Sequence, residues 1–197
     1  MSKPLQNLGG RVPLFDPQEL TAAQEAVYET VNSKMVPWAQ AAGFQAKLDD
    51  GKLVGPFNTI LLSPEIAASF LALQASEQEH TSLSERVRQV VILTVGAVWN
   101  CDYERYAHAA VAREAGFSEK VISALAEGTD VEGLSATEQL AQRVTWQLTA
   151  EHRLSAELYS KAVSVLGARG IVDLIFLAGC YQSIAALLNA FQVPVPQ

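Results

Sequence analysis

Three residues of reactive type, Cys101, Glu104 and His108, lie three and four positions apart in the stretch N-C-D-Y-E-R-Y-A-H-A-A-V-A-R-E-A-G. In a helix each residue turns by about 100°. Glu104 then lies about 60°, and His108 about 20°, to the same side of Cys101. Ala112 and Ala115 continue that stripe, and their small side chains leave room beside the polar pair. Trp99, Tyr103, Tyr106 and Ala110 form an opposite stripe, while Asp102, Arg105 and Arg113 share a narrow arc between the two. Glu104 and His108 thus fall outside the arc where a surface helix keeps its charges. An ionised glutamate withdrawn from water needs a partner, and His108, four residues on, is within reach. Such a pair perturbs both pKa values and suits acid–base chemistry, although the same spacing also serves purely structural pairs.

Other residues are candidates to complete a site. Arg105, about 40° from Cys101, could lean over a pocket and bind a substrate carboxylate, or it is simply solvated. Gln89 is placed to hydrogen-bond Glu104 or His108 across a helix pair, and Tyr181 on the last helix is a candidate pocket wall. Cys101 is either a packed thiol or a nucleophile activated by His108. Glu104 and His108 supply two metal donors but nothing else shows ligand spacing, so no metal is expected, and no cofactor.

The elements that position these residues are all helical. Asp16-Pro17-Gln18-Glu19 predicts a helix start, followed by Leu20, Ala23, Val27 and Val31 at helical spacing, and Pro37 ends or kinks this helix. A loop follows over 43–56, then a short apolar helical piece from Phe57 to Leu62. Ser63-Pro64-Glu65 opens the next helix. The following helix is capped by Ser82 or Ser84 and is apolar all round from Val90 to Val98, which makes it central. Asn100 predicts a break before the Cys101 helix. Gly116 ends that helix, Ser118 caps the next, Ser135-Ala136-Thr137-Glu138 is a capping box, and Ser155 caps a helix that ends at Gly167. No stretch has convincing period-2 alternation. The reading is all-α, an extended arm over 1–15 and one helical domain over 16–197, with about eight or nine helices.

Composition narrows the function. The 197 residues are 49% hydrophobic and 18% charged, with a formal net charge of −7. A sizeable core is affordable, and no basic patch favours a nucleic acid or an anionic membrane. Two cysteines far apart in sequence fit a reducing, cytoplasmic setting. The apolar segment Ile171–Phe191 contains Asp173, Gln182, Ser183 and Asn189, which fits a buried core helix better than a membrane span.

The stretch L-S-E-R-V-R-Q-V-V-I-L-T-V-G-A-V-W-N-C-D-Y-E-R-Y-A-H, followed by A-R-E-A-G-F-S-E-K-V-I, resembles the carboxymuconolactone decarboxylase family. R-V-P-L-F-D-P-Q-E-L-T, G-P-F-N-T-I-L-L-S-P-E-I and L-L-N-A-F-Q-V-P extend the resemblance over nearly the whole chain after Arg11. It implies the all-helical bundle of alkyl hydroperoxidase D. The peroxidase branch of that fold uses a Cys-x-x-Cys pair, a His four residues on and a Glu twelve residues upstream. Here Cys101 and His108 match, but Glu104 replaces the attacking cysteine and Gln89 the upstream glutamate. An internal disulfide cannot close, so a dithiol mechanism is not expected.

The resemblance implies instead an enzyme acting on a small carboxylated lactone or enolisable compound, with Glu104 and His108 as the acid–base pair. Loss of carbon dioxide from such a lactone leaves a dienolate, so the site must hold the carboxylate, stabilise the oxyanion and protonate carbon. Two rivals stand beside it: a single-thiol peroxidase or reductase centred on Cys101, and a helical binding or scaffold protein without chemistry. Trp99, Tyr103 and Tyr106 are read as core or subunit-contact residues, and homo-oligomerisation is expected, with a face like the Trp99 stripe buried between copies.

Overall fold

A computed structural model describes residues 8–129 and 131–196, so residues 1–7 of the expected N-terminal arm lie outside the described residues. The chain is all-helical, as the sequence predicts; among the described residues the extended structure is one isolated β-bridge, Lys47 to Leu53. That bridge closes a tight turn at Asp49-Asp50-Gly51, with Leu48 N–H donating to Lys52 O at 2.8 Å.

The helices are α1 (Ala22–Thr30), a π-helical segment (Val31–Met35), α2 (Val36–Ala42), α3 (Pro56–Thr59) with a 3-10 turn (Ile60–Leu62), α4 (Pro64–His80), α5 (Glu85–Val98), α6 (Asp102–Glu114), α7 (Glu119–Glu127), α8 (Ala136–Ala150) and α9 (Ala156–Phe191). Every residue from Val87 to Gly96 of α5 is buried. This helix packs against α6, α7, α8 and α9, which is where an element with no polar face must go. Ser84, not Ser82, caps it: Ser84 Oγ accepts from Val87 N–H, whereas Ser82 donates to Asp173 at 2.6 Å.

One start signal differs from the sequence reading. The first helix begins at Ala22 rather than after Asp16. Asp16 turns the chain locally, accepting from Gln18 N–H at 2.9 Å, and the capping box is made by Thr21 and Gln24. Of the two outcomes expected at Pro37, an end or a distortion of the helix, the structure has the second. The π-helical turn before Pro37 carries i→i+5 bonds, such as Val36 N–H to Val31 O, and so leaves space for a residue without an N–H. The break at Gly167 is real: its φ of 71° interrupts the long α9.

Beyond Gly167, Leu174, Leu177 and Ala178 pack with α5 and α8 in one core cluster. Length and composition would let α9 cross a bilayer; 39% of its most apolar window is buried, and one face of it packs into the core. Val172, Ile175 and Phe176 are exposed on its other side. Most of the Trp99 stripe takes the core alternative. Tyr103 and Ala110 are buried in this chain's own core, Tyr106 packs against it half-buried, and Trp99 is exposed.

Candidate functional site

Between α4, α5, α6 and α9 lies a cavity of about 400 Å³. Each long helix contributes one stripe. From α5 come Glu85, Arg88, Gln89 and Ile92, and from α9 Leu177, Cys180, Tyr181 and Ile184, both at the i, i+3, i+4, i+7 spacing of a single helix face. Glu104 and His108 enter from α6. The π-helical turn presents Lys34 and Met35, and α2 adds Trp38; π turns are frequent at functional sites. Phe44, Phe57, Ile60 and Phe70 add apolar wall, and Gln74, Glu77, Gln78 and Glu79 of α4 add a polar edge.

The phase argument for Glu104 and His108 holds: both are 4% exposed and both face the cavity. Gly96 allows this approach of α6 to α5, since a Cβ there would meet Glu104 Cβ at 3.3 Å. His108 Nε2 stands 3.6 Å from Glu104 Oε2, too far for a hydrogen bond. The other ring nitrogen, Nδ1, is 2.9 Å from Gln89 Oε1. Tyr181 meets the imidazole edge-on at 4.9 Å between ring centres, with Trp38 at 6.2 Å.

Their charge state corrects the expectation of an ionised glutamate paired with histidine. Burial pushes the Glu104 carboxyl up to about 8. Burial, and then the positive charge of Arg88, push the imidazole down to about 3. At neutral pH the pair is a carboxylic acid beside a neutral imidazole, not an ion pair. No hydrogen bond engages the Glu104 carboxyl or the Tyr181 hydroxyl among the described residues, and both groups border the cavity.

Arg105 is not in the cavity. Its guanidinium is held on the far side of α6 by Asp102, by Asn100 Oδ1 at 2.9 Å and by the Ala126 carbonyl. The cation that sequence reasoning missed is Arg88. Its side chain is 9% exposed, it pairs with the equally buried Glu77 of α4, and its Nε lies 3.4 Å from Glu85 Oε2. Burial works against that charge and Glu77 outweighs it, so the guanidinium stays charged. Among the described residues Arg88 Nε–H makes no hydrogen bond. The signal available was the shared stripe of residues 85, 88, 89 and 92 on α5.

Cys101 also departs from its expected place. It is the N-cap of α6 rather than part of it, with φ −98° and ψ 100°, and it packs into an apolar core cluster without lining the cavity. Burial, with help from the Glu104 and Asp102 charges, pushes its thiol up to about 11. Cys180 does line the cavity, and burial raises its pKa as well. Among the described residues no group of three His, Cys, Asp or Glu side chains is placed to hold a metal.

Residues 64–146 match the model of the carboxymuconolactone decarboxylase family, a span holding α4 to α7 and both residues of the pair. The fold is shared with an uncharacterized peroxidase-related protein from Silicibacter sp. TM1040 (17% identity, TM-score 0.73, covering 100% of this chain and 95% of that one). It is shared too with an alkylhydroperoxidase AhpD core from Ralstonia eutropha JMP134 (13%, 0.72, 95% and 92%). A third is the debrominase Bmp8, solved in complex with 2,3,4-tribromopyrrole (11%, 0.67, 90% and 93%). No functionally curated protein matches the chain. At these identities the structural likeness is one of fold.

Proposed function

We propose that this chain, whose residues 64–146 belong to the carboxymuconolactone decarboxylase family, is an enzyme that moves protons on a small carboxylated lactone or enolisable compound. The observation that carries this reading is the free carboxylic acid of Glu104, uncharged at neutral pH and bordering a largely apolar cavity beside His108. A carboxyl with a pKa near the working pH is suited to giving and recovering a proton.

In the decarboxylation reading, the substrate carboxylate or the developing enolate oxygen docks on the guanidinium of Arg88, which lines the cavity, a role assigned from sequence to Arg105. The carbon–carboxyl bond breaks and its electron pair moves into the conjugated lactone carbonyl. Carbon dioxide leaves, Glu104 protonates carbon, and its carboxylate recovers a proton from solvent. The balance is one substrate carboxylate and one solvent proton in, one carbon dioxide and one protonated product out. Tyr181 Oη–H is a second donor for the oxyanion. The thiol reading has less support, because Cys101 is a protonated thiol outside the cavity.

Turnover of a 4-carboxymuconolactone in deuterium oxide tests the proposal. Carbon dioxide release and a carbon-bound deuterium are expected, lowered about 10²–10⁴-fold in Glu104→Gln and retained in Cys101→Ser. Failure to release carbon dioxide or exchange deuterium with carboxylated lactones and 3-oxo acids overturns it. Peroxide consumption lost in Cys101→Ser would transfer the assignment to the thiol.

A further inference from the structure

The Glu104–His108 pair has a direction, and what sets it lies at the cavity mouth. Glu85 opens α5 with its side chain 53% exposed, one turn before Gln89. Its Oε1 accepts from Gln89 Nε2 at 2.7 Å. A carboxylate oxygen can only accept, so the amide must turn its NH₂ toward Glu85. The amide oxygen is then left facing His108 Nδ1 at 2.9 Å, where it can only accept in turn. Nδ1 therefore carries the hydrogen. In a neutral imidazole this leaves Nε2 with a bare lone pair, aimed at Glu104 Oε2.

We propose that Glu85 is a positioning residue which, through Gln89, fixes the Nδ1–H tautomer of His108 and so makes the imidazole the proton acceptor and Glu104 the donor. The second Glu85 oxygen faces Arg88 Nε at 3.4 Å, which restrains the carboxylate from swinging away. With the amide flipped, Gln89 would donate to Nδ1, the hydrogen would move to Nε2, and the pair would run in the opposite sense. The geometry is independent of any substrate, but its catalytic meaning rests on the acid–base reading above.

The test is the tautomer itself, read by ¹⁵N–¹H long-range correlation on full-length protein labelled at histidine, with His108 assigned by loss of its signals in His108→Gln. Wild type is expected to show the Nδ1–H form. Glu85→Ala should raise the Nε2–H population about tenfold, the effect of removing one charge-assisted hydrogen bond. Glu85→Gln, which keeps the side-chain volume, should shift it in the same direction and serves if the alanine variant does not fold. An Nε2–H ring in wild type, or a tautomer indifferent to both variants, overturns the proposal and leaves the acid–base reading standing. A Glu85-dependent tautomer in a protein without turnover would overturn only the acid–base reading.

Discussion

His108 Nε2 and Glu104 Oε2 face each other at 3.6 Å on successive turns of α6, each hidden from solvent and each uncharged at neutral pH. An uncharged carboxyl next to an uncharged imidazole is an unusual way to fill a core position, and it leaves a mark on stability.

The first prediction is the pH dependence of unfolding. Glu104 titrates at about 8 in the fold against 4.5 ordinarily, so between those values the native state holds a proton that the unfolded chain has released. Its contribution is present at low pH and is lost as pH rises through about 8. His108 titrates at about 3 against 6.5 ordinarily, so its contribution is present above 6.5 and is lost as pH falls toward 3. Between 4.5 and 6.5 the two slopes oppose each other and the pair contributes a plateau. Urea midpoints should therefore fall on both sides of that plateau. In Glu104→Gln the decline between pH 6.5 and 8 should flatten while the acid limb remains; an unchanged alkaline limb would show that Glu104 is ionised in the native protein.

The second prediction concerns Arg88 and Glu77, a buried ion pair joining α5 to α4. Removing one partner strands the other charge. Arg88→Met should cost about 3–5 kcal/mol by denaturant unfolding. The double variant Arg88→Met, Glu77→Met should recover most of that loss, since replacing a whole buried pair with apolar side chains is often neutral. Turnover should separate the two roles: KM for a carboxylated substrate stays raised in the double variant although stability returns. A double variant with normal KM would remove Arg88 from the binding role.

What was legible in the sequence follows the range of the interaction. The pairing of Glu104 with His108 is set within one helix, so periodicity alone turned both inward. Ser118, Ser135 and Ser155 could be read as caps, each accepting a backbone N–H three residues on, because a cap is likewise local. Arg88 was not read as part of the site because its inward orientation depends on Glu77, eleven residues away on another helix. In the sequence, Glu77 sits in the polar stretch S-E-Q-E-H, which looks like a solvated helix end. Cys101 failed for a smaller reason: one residue of non-helical backbone at the cap takes it out of phase with Glu104. Asp16 misled because the same side chain that caps helices also closes short turns.

The third prediction is self-association through α9 rather than through the Trp99 stripe. Val172, Ile175 and Phe176 are each about half exposed, at 50%, 48% and 55%, and lie at i, i+3 and i+4 on one face. A contiguous apolar face of this kind favours burial against a second copy. Light scattering is expected to give a mass above the monomer, with Ile175→Glu plus Phe176→Glu shifting it toward the monomer. A monomeric wild type, or an oligomer indifferent to the double change, would reject this face.

The fourth prediction separates backbone strain from crowding at two glycines. Gly43 and Gly55 both have positive φ, 87° and 67°, where an L side chain is strained. At Gly43, the C-cap of α2, a Cβ would meet nothing within 4 Å. At Gly55 it would fall 2.1 Å from Tyr103 Oη and 2.3 Å from Cζ. Tyr103 cannot step aside, being 3% exposed and held by a hydrogen bond from its hydroxyl to Gln45 O at 3.3 Å. Gly43→Ala should therefore cost about 1–2 kcal/mol, the strain alone. Gly55→Ala should cost about 2–6 kcal/mol, because its ψ of −146° lies in a region essentially reserved for glycine, strained by about 1–3 kcal/mol, and overpacking adds about 1–3 kcal/mol. Since Tyr103 also lines the cavity, Gly55→Ala should perturb any ligand held there, while Gly43→Ala should not. Equal losses in the two variants would mean that the loop before α3 relaxes freely and does not fix the position of Tyr103.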